Sequence, residues 1–192
     1  MKRKGISRSK TKKNPIIKQK DFWDLWLIIQ RNLRKKWKRV LPLGDAVVDR
    51  WEKARFLGFE SSSSIYDSSL VFGDVQVGRN TWIGPFTVLD GSGHLKIGAN
   101  CSISAGVQIY THDSIQWAIS GGKKTYEYAP TTIEDNCYIG PNSVIQKGAC
   151  IGKGTIVGAN SFVNKSFPQG SKIAGNPAKS IKQRNRNDKS NG

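Results

Sequence analysis

Two histidines occur in the 192 residues, His94 and His112. Imidazole titrates near working pH, so its placement is the first question for proton-transfer chemistry. His112 stands in the segment Tyr110-Thr111-His112-Asp113. Asp113 and Asp90 are carboxylates of the kind that orient an imidazole. The chemistry this set supports is removal of a proton by a general base. The plain alternatives are a solvent-facing corner histidine and, for both aspartates, turn chemistry. His94, in Gly91-Ser92-Gly93-His94, reads as a glycine-flanked loop residue without a role.

These residues are positioned by a chain that counts in sixes. Ile, Leu or Val occupies positions 65, 71, 77, 83 and 89, then 97, 103 and 109, then 133, 139, 145, 151, 157 and 163. Only 39 of the 192 residues are of those three types, so fourteen in phase is a structural signal. A fixed period implies stacked units. Each hexad reads aliphatic, often Gly, variable, often Asn or Gly, small, variable. Gly fills the second place at 78, 84, 98, 140, 152 and 158, and Asn fills the fourth at 80, 100, 136, 142 and 160. The aliphatic residue points inward. Asn and Gly take turn conformations with φ > 0. The small fifth residue lets the chain turn a corner. Three short strands per turn make a triangular coil of about 18 residues that is stable only as a stack.

The count breaks twice. Gly91-Ser92-Gly93-His94 inserts two residues at a corner, and a loop from about 113 to 130 leaves the prism and returns in phase. Loops on a rigid scaffold commonly carry function. The register puts Leu89 and Ile109 one coil apart on one face, which sets Asp90-Gly91-Ser92 beside Tyr110-Thr111-His112 at the loop mouth.

The domain plan is a basic tail (1–20), helices (21–60), the repeat body (61–171) and a C-terminal cap with a basic tail (172–192). The net charge of +17 belongs to the ends: residues 1–20 carry nine Lys/Arg and no acid, whereas residues 61–171 carry seven of each sign. A neutral body argues against specific nucleic-acid binding. Residues 21–40 predict a helix with Asp21 as cap, an apolar face through Phe22, Trp26, Ile29, Leu33, Trp37 and Val40, and Lys/Arg crowding its second half. Such a helix suits a membrane interface, or docking on its own body or on a neighbouring subunit. Asp45 opens a second, shorter helix with Val47, Trp51 and Ala54 on one side. Cys101 and Cys137 fall where the repeat wants a small buried residue, and Cys150 falls one place later, toward solvent. Three cysteines suit a reducing cytosol, and neither a signal peptide nor a spanning run is visible.

The pattern resembles the hexapeptide-repeat acyltransferases, in particular the sugar and polysaccharide O-acetyltransferases of the maltose and galactoside acetyltransferase type. The matching segments, in order, are Tyr110-Thr111-His112-Asp113, Ile133-Glu134-Asp135-Asn136-Cys137-Tyr138-Ile139-Gly140, Val157-Gly158-Ala159-Asn160-Ser161 and Ala174-Gly175-Asn176-Pro177-Ala178-Lys179. The resemblance covers about 61 to 182. It implies a mainly β fold, a left-handed parallel β-helix of hexapeptide repeats with an N-terminal helical segment. It also implies a homotrimer with sites between subunits, and transfer of an acetyl group from acetyl-CoA to a hydroxyl of a saccharide. His112 would be the general base. Tyr138, Gly140, Ala159, Asn164, Lys165, Lys179 and Lys182 would meet coenzyme A. No metal is implied: the γ-type carbonic anhydrases of this fold need three histidines per site, and the chain has two. Pro141 departs from the pattern, since it stands where some relatives use a backbone N–H for the oxyanion and proline has none. The expected setting is cell-surface polysaccharide or lipopolysaccharide synthesis. The enzyme would be cytoplasmic, at the inner face of the membrane through peripheral contact of residues 1–40. N-acetylation of an amino sugar, and a non-enzymatic membrane or nucleic-acid binding module, are the alternatives.

Overall fold

The structure, a computed structural model, describes residues 19–181. The described residues form two compact units that meet in sequence between Ala46 and Val47. The first holds helix α1 (Gln19–Trp37), which places Asp21, the expected cap, within the first turn. Lys38, at φ 55°, ends the helix. The Gln30 side chain bonds both the carbonyl and the N–H of Leu41, tying the helix to the segment that leaves it. The expected single second helix is two, α2 (Leu43–Val47) and α3 (Arg50–Phe56). Asp49 separates them because its carboxylate caps α3, accepting the N–H groups of Trp51 and Glu52 at 2.9 and 3.0 Å. Ala54 is buried as expected, but Val47 and Trp51 are about half exposed.

The second unit is a parallel β-solenoid of three faces. Ile65, Ile83, Ile103, Ile139, Val157 and Ile173 stack on the first. Val71, Leu89, Ile109, Ile145 and Val163 stack on the second. Val77, Ile97, Ile133, Ile151 and Phe167 stack on the third. Thirteen of the fourteen counted positions are at most 4 % exposed, and Val71 packs on the core from the rim. Burying each contributes about 1.5–3 kcal/mol. The stack runs one strand beyond the counted residues, to Lys172–Ala174, through a last coil shortened by two residues that puts Phe167 in an aliphatic place.

The hexad's other places separate physically. Asn80, Asn100, Asn136, Asn142, Asn160, Gly106, Gly148 and Gly154, all fourth-place residues, take φ between 54° and 79°. The second-place glycines do not adopt positive φ, contrary to expectation. They are small because the next coil passes against them. A Cβ on Gly140 would lie 2.6 Å from the Ala159 nitrogen, and one on Gly152 would lie 2.4 Å from the Gln169 nitrogen. The fifth-place hydroxyls do more than fit: Ser63, Ser69, Thr81 and Ser143 each donate to the carbonyl of a second-place glycine at 2.8–2.9 Å, Gly78, Gly84, Gly98 and Gly158 respectively. Cys137, buried like Cys101, replaces the hydroxyl with a thiol 3.3 Å from the Gly152 carbonyl. Cys150 is exposed.

Both ends of the stack are covered. At the first coil, Lys53 of α3 donates to the carbonyls of Tyr66, Asp67 and Ser69 at 3.1, 2.8 and 3.2 Å. At the last, Lys179–Ser180 folds back antiparallel on Lys172–Ala174.

Two glycine substitutions separate close approach from turn conformation. Gly152→Ala is expected to destabilise by about 1–3 kcal/mol, because backbone must move. Gly154→Asn, at φ 70° with open space around it, is expected to cost less than about 1 kcal/mol. Guanidinium unfolding midpoints of the two variants measure the difference.

Candidate active site

The corner after the second face holds the two-residue excess. Strand Val88–Ile97 runs through it without a break. Gly91 and Gly93 permit this: a Cβ on the first would lie 2.2 Å from the Asp74 carbonyl oxygen, and one on the second 2.5 Å from that of Thr111. The tight corner turns Asp90 inward, where it is 2 % exposed. Its Oδ1 accepts the N–H and hydroxyl of Ser92 at 3.1 and 2.5 Å. Its Oδ2 accepts the Thr111 N–H at 2.9 Å and stands 2.7 Å from His112 Nδ1. The Thr111 hydroxyl donates to the Asp90 carbonyl at 2.8 Å and accepts the Gly93 N–H at 2.7 Å, closing the cluster.

Burial alone would raise the Asp90 carboxyl. The hydrogen bonds from the Ser92 hydroxyl, the Thr111 N–H and His112 outweigh it and hold the group well below the usual carboxylate range. An ionised Asp90 accepts a proton carried on Nδ1, which assigns the tautomer and leaves a lone pair on Nε2. Nε2 has no protein partner among the described residues, and the side chain is 31 % exposed.

The loop supplies walls that the sequence did not single out. His112 and Asp113 pair antiparallel with Tyr128 and Glu127, and α4 (Ile115–Ile119) lies between the two strands. The Tyr126 and Tyr128 rings stack near the imidazole at 6.1 and 5.7 Å, and Trp117 meets Tyr126 edge-on. Asp113 does not orient His112. Its Oδ1 accepts the Ile115 N–H at 3.1 Å, and its Oδ2 faces Lys147 at 3.3 Å. Lys147, from the next coil, also meets Glu127 at 2.7 Å and so holds both strands of the hairpin. Glu127 first, and Asp113 after it, raise the Lys147 ammonium above its ordinary range against the opposing effect of burial. His94 pairs with Asp74 at 2.8 Å on the exposed side of the same corner.

The residues expected to meet coenzyme A are distributed over the prism and do not converge within one chain. Tyr138 projects from the first face, about 40 % exposed. Gly140 and Ala159 lie against each other at the corner after that face. Asn164 and Lys165 are exposed at the corner after the second face, the corner that carries His112, and the Lys165 ammonium covers the Phe167 ring at 5.6 Å. Lys179 is exposed on the final strand, and Lys182 lies outside the described residues. Around Pro141, the N–H groups of Gly140 and Asn142 are committed to Val157 and Ala105 carbonyls, so that corner offers no oxyanion donor. Among the described residues, no three His, Cys, Asp or Glu side chains gather to hold a metal ion.

The bacterial transferase hexapeptide model (six repeats) matches residues 130–165. The repeats within that stretch are therefore of the hexapeptide kind. A 2,3,4,5-tetrahydropyridine-2,6-dicarboxylate N-acetyltransferase of Staphylococcus aureus is 49 % identical over 55 residues, 29 % of this chain and 23 % of that relative. The chain thus aligns with under a quarter of the length of the curated relatives it matches. Among solved structures, a hexapeptide-repeat acetyltransferase from Vibrio cholerae is 28 % identical, with a TM-score of 0.61 over 82 % of this chain and 92 % of that one. The N-acyltransferase AntD of Bacillus cereus, solved with dTDP and coenzyme A, shares the fold at 22 % identity and a TM-score of 0.58, over 70 % of this chain and 89 % of that one.

Asp90 carries a pH signature. Its folded-state value is depressed, so its contribution to stability is present above the unfolded carboxylate value of about 4 and is lost as pH falls through the folded value. Lowering pH from about 6 to 2 should therefore destabilise the wild type more than Asp90→Asn, as read from unfolding midpoints across that range.

Proposed function

We propose that the chain is an acyl-CoA-dependent acetyltransferase that moves an acetyl group from acetyl-CoA to a saccharide hydroxyl, with His112 as general base and Asp90 as its orienting carboxylate. The observation that carries the reading is the 2.7 Å contact between Asp90 and His112 Nδ1 at the loop mouth, with Nε2 left open. As the acceptor oxygen forms its bond to the thioester carbonyl carbon, its proton passes to Nε2. The buried carboxylate stabilises the resulting imidazolium. When the tetrahedral intermediate collapses, the C–S bond breaks and Nε2–H returns the proton to the departing thiolate of coenzyme A, so charge and protons balance.

Support for the donor comes from the hexapeptide-repeat acetyltransferase of Vibrio cholerae and from the coenzyme A bound by AntD. On this chain the donor would run along the prism past Tyr138, Gly140 and Ala159, with Asn164, Lys165, Lys179 and Lys182 toward its phosphates; mobile lysines suit phosphate as point charges. These residues lie on separate corners, and a homotrimer would complete the site by setting one protomer's corner against the next. The acceptor side belongs to the synthesis of a cell-surface polysaccharide or lipopolysaccharide, in the cytoplasm at the inner face of the membrane. An amino-sugar acceptor would use the same base, and the product's ester or amide linkage distinguishes the two.

His112→Ala should lower kcat by about 10²–10⁴-fold with coenzyme A affinity unchanged. Asp90→Asn should follow it by roughly 10²–10⁴-fold, and Asp113→Asn should retain turnover within about threefold, since Asp113 makes no contact with the imidazole. Steady-state release of thiol from acetyl-CoA, with calorimetry for coenzyme A binding, checks all three. Undiminished turnover in His112→Ala overturns the base assignment.

A further inference from the structure

Helix α1 displays large apolar side chains to solvent. Phe22, Trp23, Leu25, Ile28 and Trp37 are each about half exposed, and the rings of Trp23 and Trp26 stack at 4.7 Å on the same helix. Phe22, Leu25 and Ile28 recur every three residues, so they form one stripe. Continued at three- and four-residue steps, that side of the helix next presents Asn32, Lys35 and Lys36. The exposed stripe is thus apolar in its first half and cationic in its second. Arg31, Arg34, Lys35, Lys36, Lys38 and Arg39 are all exposed, and no acid occurs between Asp24 and Asp45. Residues 1–44 hold fifteen Lys/Arg and two Asp, while residues 61–171 are neutral.

We infer that α1 attaches the protein to the surface of an anionic bilayer. Its apolar stripe would lie among the acyl chains just below the headgroups, and Lys35 and Lys36 would stand against lipid phosphates. Charge selects this occupant over the others. A second copy set with its residues 31–39 alongside would bring six cations against six. A polyanion such as RNA would satisfy the cations but leave Leu25 and Ile28 in water. Only an anionic interface offers apolar depth and negative charge along one side of one helix. The helix lies on the bilayer and does not cross it: no described helix is long and apolar enough to span a membrane. Trp23 and Trp37 suit such a position, since indole rings favour the headgroup boundary. The inference deepens the placement at the membrane face and rests on no part of the acyl-transfer chemistry.

The test is sedimentation of the full chain with vesicles of phosphatidylcholine alone or phosphatidylcholine with about a quarter phosphatidylglycerol, at low and high salt. Binding to the anionic vesicles should be at least roughly tenfold stronger and should weaken several-fold between about 0.1 and 0.5 M salt. Leu25→Glu with Ile28→Glu, and separately Lys35→Glu with Lys36→Glu, should each reduce binding by at least about tenfold. Both variants should keep the wild-type unfolding midpoint of the β body and the wild-type oligomeric state. Equal binding to both vesicle types overturns the inference. So does unchanged binding by either variant, or a Leu25/Ile28 variant that loses oligomerisation while still binding vesicles, which would assign the stripe to a second copy. Vesicle binding consumes neither acetyl-CoA nor acceptor, so its failure leaves the acyl-transfer reading standing, and the reverse also holds.

Discussion

The structure depends on one constraint: each coil must lie in register on the next. The aliphatic residues stack without solvent contact, and the hydrogen bonds between coils run strand to strand, so an insertion inside a strand would misalign every face beyond it. Corners are where chain length can change. The extra residues at Gly91–Gly93 are accommodated there by near contact of backbones. The same compression turns Asp90 inward, under the Thr111 N–H and the imidazole of His112. A change in chain length has therefore been converted into a buried, fully hydrogen-bonded carboxylate beside an open nitrogen.

Much of this was legible in the sequence because a repeat makes distant residues neighbours by arithmetic. Leu89 and Ile109 pair as counted, so Asp90 and His112 could be set side by side without coordinates. Counting did not distinguish Asp90 from Asp113, because adjacency in sequence does not say to which side of the strand a carboxylate turns. The same arithmetic, Ile109 on Ile145, reaches Lys147 from the residues around His112, but a lysine in a neutral body gave no reason to look. Tyr126 and Tyr128 lay beyond any count, since the loop that holds them leaves the period. Glycine misled in a specific way: the second and fourth places both favour it, one for want of room and the other for positive φ, and composition does not separate the two causes.

The electrostatics divide along the same lines as the fold. In the body, the charges near His112 are answered locally, Asp90 by its donors and Lys147 by two carboxylates. Such charges hold side chains in place at fixed distances and are weakly screened. In the N-terminal unit the cations stand exposed and unbalanced by acid, which suits a diffuse partner more than a geometric one. The chain thus uses charge for positioning in one unit and for attraction in the other.

The two covers on the stack have a consequence for the protein's size. Each coil presents its neighbour with a row of unpaired backbone groups, and nothing in the hexad itself says where the series stops. An uncovered terminal coil would be a template for another molecule's terminal coil, and end-to-end growth would give an open filament. Lys53 draws three carbonyls of the first coil to a single ammonium, and Lys179–Ser180 reverses strand direction at the last. The repeat supplies cohesion in either direction without limit; these few terminal residues make the particle finite.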